Sequence, residues 1–165
     1  MSKMKELKKI IVNKPLKLDC GETIINYPIA YETYGKLNEK KDNAILAFHA
    51  LTGDQFLTGI NPVTNKKGWW TYLTGPSKPI DTNKFFVICA NVIGGCMGSF
   101  GPSTVDEKSK KPLGTSFPVI TINDMVNAQY NLLDHFKIKK LFCVIGGSMG
   151  GMQVLQFVSN FPNAA

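Results

Sequence analysis

LFCVIGGSMGGMQVLQF, residues 141–157, decides how the chain is read. Its opening, LFCVI, is a continuous apolar run, which predicts a buried strand over 141–145. Gly146-Gly147-Ser148-Met149-Gly150 then fits G-x-S-x-G. Met152, Leu155 and Phe157 follow in a stretch free of proline, which predicts a helix packed on a sheet. Strand, glycine-flanked serine and helix, in that order, is the setting of a nucleophile elbow. A serine forced into a sharp strand-to-helix turn leaves its neighbours no room for side chains, hence the glycines. Its hydroxyl projects above the sheet edge, and the free N–H groups of the helix start point at the same space. The plainer alternative is a glycine-rich turn whose serine only caps the helix.

The strands and helices upstream give the elbow its surroundings. LKLDCGETII, at 16–25, holds a turn signal between two short β-prone runs and predicts a hairpin. YPIAYETY at 27–34 predicts a strand, AILAFH at 44–49 a buried strand, and FFVICAN at 85–91 another. Residues 35–43, 52–68 and 93–117 read as connections, and 69–73 as one helical turn or two. TINDMVNAQYNLLDHF at 121–136 carries Met125, Val126, Leu132, Leu133 and Phe136 near helical spacing, with Asp124 early in it. Apolar strands alternating with helices imply a mostly parallel α/β sheet with helices on both faces. There is no internal repeat and no sign of a second domain.

Composition narrows the function. The chain has 165 residues and a 44% apolar fraction, those of a globular domain with a real core. No apolar run is long enough to span a bilayer, and the basic N-terminus lacks the apolar core and cleavage site of a secretory signal. Cys20, Cys89, Cys96 and Cys143 form no C-x-x-C pair, and Cys89 and Cys143 fall inside apolar runs. That pattern suits reduced, mostly buried thiols in a cytoplasmic protein. With only His49 and His135 and no ligand-like spacing, no metal site is expected. The net charge of +7 comes from scattered lysines without a single arginine, so nucleic-acid binding is not expected. A polyanionic cosubstrate still profits from such a field. NVIGGCMGSFGPS at 91–103 looks like a phosphate cradle, but it matches no nucleotide motif and no helix follows it directly.

Ser148 needs partners to act as a nucleophile. Met149, the residue after it, supplies one backbone N–H of an oxyanion hole, and Leu51 in HALTG (49–53) is the candidate for the second. The base in such a site is a histidine oriented by a carboxylate, following the serine in chain order. Residues 149–165 contain neither histidine nor acid. His135 precedes the elbow strand, which puts it about 15–20 Å from Ser148 at about 3.3 Å per residue. His49 ends a neighbouring strand on the correct edge. There it is either a base or a structural residue holding its loop by hydrogen bonds, and the oxyanion role of the adjacent backbone makes the first awkward. The expectation is therefore a partial domain over 1–165, ending just after the elbow helix, with the rest of the triad outside it.

These motifs together resemble one family. GWW at 68–70, FFVICANVIGGCMGSFGPS at 85–103, FPVITINDMV at 117–126 and GGSMGGMQ at 146–153 are similar to the homoserine O-acetyltransferase family of α/β-hydrolases. HALTG matches that family's oxyanion loop, and the resemblance runs from about Leu18 to the end. It implies the N-terminal half of an α/β-hydrolase fold, with the lid and the later triad residues outside the chain. It implies acyl transfer from acetyl-CoA, or succinyl-CoA, to the hydroxyl of homoserine in methionine biosynthesis. Ser148 would carry the acyl group between the two substrates. The partners implied are small molecules, homoserine and acyl-CoA, with no bound cofactor, no nucleic acid and no membrane; a homodimer is open for the full-length form. A serine esterase of the same fold and a non-catalytic fragment are the alternatives.

Overall fold

The structure is a computed structural model and describes residues 7–164. Strands β1 (Lys9–Val12), β2 (Leu16–Lys17), β3 (Thr23–Ile24) and β4 (Tyr27–Tyr34) come first, followed by β5 (Ala44–Phe48). Short strands β6 (Thr74–Gly75) and β7 (Ile80–Asp81) precede β8 (Phe86–Ala90). Helix α1 (Ile122–Phe136), strand β9 (Cys143–Gly146) and helix α2 (Met149–Asn160) complete the order. The main sheet has five strands in the order β1-β4-β8-β5-β9. The 16–25 hairpin is present as the antiparallel β2–β3 pair.

β5 lies between β8 and β9, and all five of its residues are buried. Its side chains alternate between two cores. Ala44, Leu46 and Phe48 join a core with Ile88, Ala90, Leu132, Leu133 and Phe157. Ile45 and Ala47 face the other way, with Val87, Cys89, Leu57 and Ile80, against Trp69 and Trp70. Helix α1 is entered through a capping box. The Thr121 hydroxyl accepts from the Asp124 N–H, and the Asp124 carboxylate accepts from the Thr121 N–H. The same carboxylate accepts from Asp19 N–H at 3.0 Å, which docks the β2–β3 turn on the helix start.

Several expectations need correction. The α/β-hydrolase fold class stands, but this part of the sheet is mixed. β4 runs antiparallel to β1 and β8, while only β8, β5 and β9 are mutually parallel. Both helices pack in the same core, on one face, and contact each other. The opposite face is covered by the irregular segment carrying Leu57, Trp69, Trp70 and Ile80, whose aromatic bulk does the work expected of a helix. Residues 69–73 form turns and no helix. Lys9–Val12, read only as part of a basic terminus, is an edge strand paired with β4. The elbow strand begins at Cys143 and is half-buried, because among the described residues β5 is its only neighbour. On α2 the inward face is Gly150, Gln153 and Phe157, whereas Met152 and Leu155 are exposed. All four cysteines are free; Cys89 is buried, while Cys20 and Cys96 are exposed.

Candidate active site

Ser148 sits between β9 and α2 with φ 56° and ψ −125°. A positive φ is uncommon for a residue with a side chain, and this ψ lies outside the left-handed helical well that Lys137 occupies at φ 54° and ψ 41°. The serine stands at the helix N-cap, yet its side chain makes no capping bond. The alternative of a merely capping serine therefore does not hold. Its carbonyl starts the helix instead, accepting from Gly151 N–H at 2.8 Å and Met152 N–H at 3.1 Å.

Two glycines make this turn possible. A Cβ on Gly150 would collide with the Phe48 carbonyl and stand 3.2 Å from His49 O. A Cβ on Gly146 would lie 2.5 Å from the carbonyl of Gly150. The helix start is thus pressed against the end of β5 and the end of β9 at once. Gly151 is different: a Cβ there meets nothing nearer than Gly146 O at 3.6 Å, an ordinary contact. At Gly147 the nearest atom to an added Cβ is Trp70 Cζ2 at 4.0 Å, so the indole of Trp70 borders the elbow.

The HALTG loop leaves the sheet beside the elbow. Phe48 and Gly146 are register partners, so His49–Leu51 and Gly147–Met149 emerge side by side at the C-terminal ends of parallel strands. Neither Leu51 N–H nor Met149 N–H is bonded to another backbone or side-chain group among the described residues. His49 is buried, with 1% of its surface exposed. Its Nδ1–H donates to Ala50 O at 2.7 Å, and its Nε2 accepts from Val92 N–H at 3.1 Å. These partners require the neutral ring with the proton on Nδ1. Burial also pushes the pKa of His49 down. With both nitrogens engaged, His49 is the structural residue of the two options and not the base. The Ala50 carbonyl also accepts from Gly53 N–H at 2.9 Å, which closes the turn.

The carboxylate that follows the loop, Asp54, is also engaged elsewhere. The Asp54 carboxylate accepts from Phe56 N–H and Asn61 Nδ2, each at 2.8 Å. Its backbone carbonyl accepts from Trp69 Nε1 at 2.9 Å, which fixes the first tryptophan of GWW. His135 lies on α1 against the Tyr31 and Phe136 rings, away from the elbow. A cleft of about 280 Å³ opens next to the loop, lined among others by Thr52, Asp54, Lys66, Lys67, Trp69 and Met97. The composition reading missed Trp69 and Trp70 as builders of this region; the adjacent pair of large aromatics was the available signal.

The chain is similar to known proteins in sequence and fold. A homoserine O-acetyltransferase of Pelagibacter ubique (strain HTCC1062) is 71% identical over 159 residues, covering 96% of this chain and 43% of that protein. A crystal structure of homoserine O-acetyltransferase from Bacillus anthracis superposes with a TM-score of 0.88 at 31% identity, over 97% of this chain and 44% of that one. The crystal structure of esterase E22 superposes with a TM-score of 0.87 at 34% identity, over 97% of this chain and 45% of that one. The chain thus spans less than half the length of these relatives. The alpha/beta hydrolase fold family matches residues 43–164, from the start of β5 to just past the elbow helix, and the chain belongs to that family.

Proposed function

We propose that this chain carries the nucleophile of a homoserine O-acetyltransferase. The observation that carries the reading is the 71% identity to a protein of that name over 96% of the chain. The elbow geometry of Ser148 gives it chemical content. In this reading Ser148 Oγ attacks the thioester carbonyl of acetyl-CoA. The tetrahedral oxyanion is held by Leu51 N–H and Met149 N–H, and the CoA thiol leaves, taking a proton. The homoserine hydroxyl then attacks the acetyl-serine, gives up its proton to the base, and departs as the acetyl ester while Ser148 regains its hydrogen. The base and its carboxylate are assigned to the part of such an enzyme that lies outside this chain. Acetyl-CoA, or succinyl-CoA in its place, is a cosubstrate and not a resident cofactor. Lys66 and Lys67 on the rim of the cleft suit its phosphates. The place of the reaction is methionine biosynthesis in the cytoplasm. No helix among the described residues is long and apolar enough to cross a membrane.

A second reading, serine esterase, is favoured by the superposition on esterase E22. The two differ in which nucleophile resolves the acyl-serine. Incubating the protein, expressed from its complete reading frame, with acetyl-CoA and homoserine should yield O-acetylhomoserine, with a transient acetyl adduct on Ser148 in mass spectra. Succinyl-CoA in a parallel reaction identifies the preferred donor. Acetate as the sole product would favour the esterase. An adduct persisting in Ser148→Ala would overturn the nucleophile assignment.

A further inference from the structure

We propose that Gln153, backed by Gln129, is a positioning residue that holds the oxyanion loop in register with Ser148. The inference rests on the nucleophile reading above. Gln153 lies on the inward face of α2 between Gly150 and Phe157 and is fully buried. An apolar residue would suit that face better, since a buried amide destabilises unless its hydrogen bonds are made. Its Nε2 donates to His49 O at 3.3 Å, reaching from the elbow helix across to HALTG. The same nitrogen donates to Met149 O at 3.4 Å, within its own helix. Its Oε1 accepts from Gln129 Nε2 at 2.8 Å, so α1 fixes the orientation of the amide.

The geometry explains what this achieves. His49 O belongs to the peptide that immediately precedes Ala50–Leu51, the peptide whose N–H is the proposed oxyanion donor. The Ala50 end of that second peptide is held by His49 Nδ1–H and Gly53 N–H. A trans peptide directs its N–H opposite to its carbonyl, so fixing Ala50 O fixes the direction of Leu51 N–H. Gln153 fixes the peptide before it and ties it to the helix that carries Met149. One side chain thereby couples both donors of the hole. Gln129 Oε1 is buried and has no partner among the described residues. That arrangement lowers stability, and a pair of leucines would fill the space without it. A pair kept for packing alone would not take this form.

The test uses Gln153→Leu and Gln153→Glu in the complete protein, with p-nitrophenyl acetate and acetyl-CoA as acyl donors. Removing a donor from an oxyanion hole outright lowers kcat by about 100- to 1000-fold. Loosening both is expected to slow acylation by about 10- to 100-fold in Gln153→Leu, with KM unchanged within about twofold. In Gln153→Glu the introduced carboxyl, when protonated, donates to His49 O while still accepting from Gln129. Its activity relative to the unsubstituted protein should therefore rise as pH falls, a signature that packing alone does not produce. If Gln153→Leu fails to fold, this pH profile decides. Acylation unchanged in Gln153→Leu, or a flat relative profile in Gln153→Glu, would overturn the assignment. An unsubstituted protein that takes up no acyl group at all would remove the nucleophile reading, and this inference with it.

Discussion

Gly150 and Gly151 are adjacent and chemically identical, yet the structure separates them. A methyl on Gly150 strikes the Phe48 carbonyl, which is backbone and cannot swing aside. Gly150→Ala is expected to lower stability by about 1–3 kcal/mol through overpacking. Gly151→Ala has room and removes backbone entropy from a helical position, so it should be neutral or stabilise by up to about 1 kcal/mol. Urea unfolding of the two variants checks this, and equal midpoints would argue against the tight elbow. His49 gives a pH prediction. Its folded pKa lies below the ordinary value of 6.5, so the unfolded chain takes up a proton that the folded chain resists. Its contribution is complete above about pH 6.5 and is lost as pH falls from there through the folded pKa. The urea midpoint should therefore drop between about pH 7.5 and 5.5. His49→Gln, though less stable overall, should show a shallower drop. The aspartates held low by hydrogen bonds, Asp19, Asp81 and Asp106, act only near and below 3.8 and do not confuse this window.

Among the elements, α1 has two anchors of different strength at its start. Thr121 supplies one side-chain cap, and its loss should cost about 1 kcal/mol. Asp124 closes the box and also receives Asp19 N–H, while having no exposed surface itself. Asp124→Ala leaves the partly buried N–H donors of Thr121 and Asp19 without their acceptor. It should be the more damaging change by about 1–3 kcal/mol. The Thr121 hydroxyl also donates to the Asp19 carboxylate, so both variants loosen the hairpin. Thermal melts would decide, and a larger effect at Thr121 would refute the ranking. On α2 the same logic of facing explains the exposure of Met152 and Leu155. Gly150 is pinned to β5, so the positions three and seven residues later, Gln153 and Phe157, must also face inward.

At the scale of the molecule, large apolar side chains stand exposed on α2 and just before β9. Leu155 is 71% exposed, Met152 59% and Phe142 58%. β9 has only β5 beside it among the described residues, so its outer edge offers backbone groups for pairing. The 165-residue chain purified by itself is expected to self-associate through these exposed groups. Sedimentation at increasing concentration should show species larger than a monomer, and the double substitution Met152→Lys/Leu155→Lys should shift them toward monomer. A wild-type chain that stays monomeric at high concentration would refute the expectation.

What the amino-acid sequence determined by itself was local. The apolar run, G-x-S-x-G and the helix after it specify a strand, a turn and a helix within seventeen residues, so Ser148 was legible without any tertiary contact. The start of α1 was legible for the same reason, since capping joins residues three apart. The remainder depended on groups far apart in the chain. Whether His49 was base or brace was settled by Val92 N–H, forty-three residues away. Which glycine was indispensable was settled by Phe48. The mixed sheet follows from β4 meeting β8 across a long connection, and the helix-free face from two tryptophans that fill it. Periodicity states that a residue has an apolar side; only the packed structure decides what lies against it, because burial is a property of the contact and not of the residue.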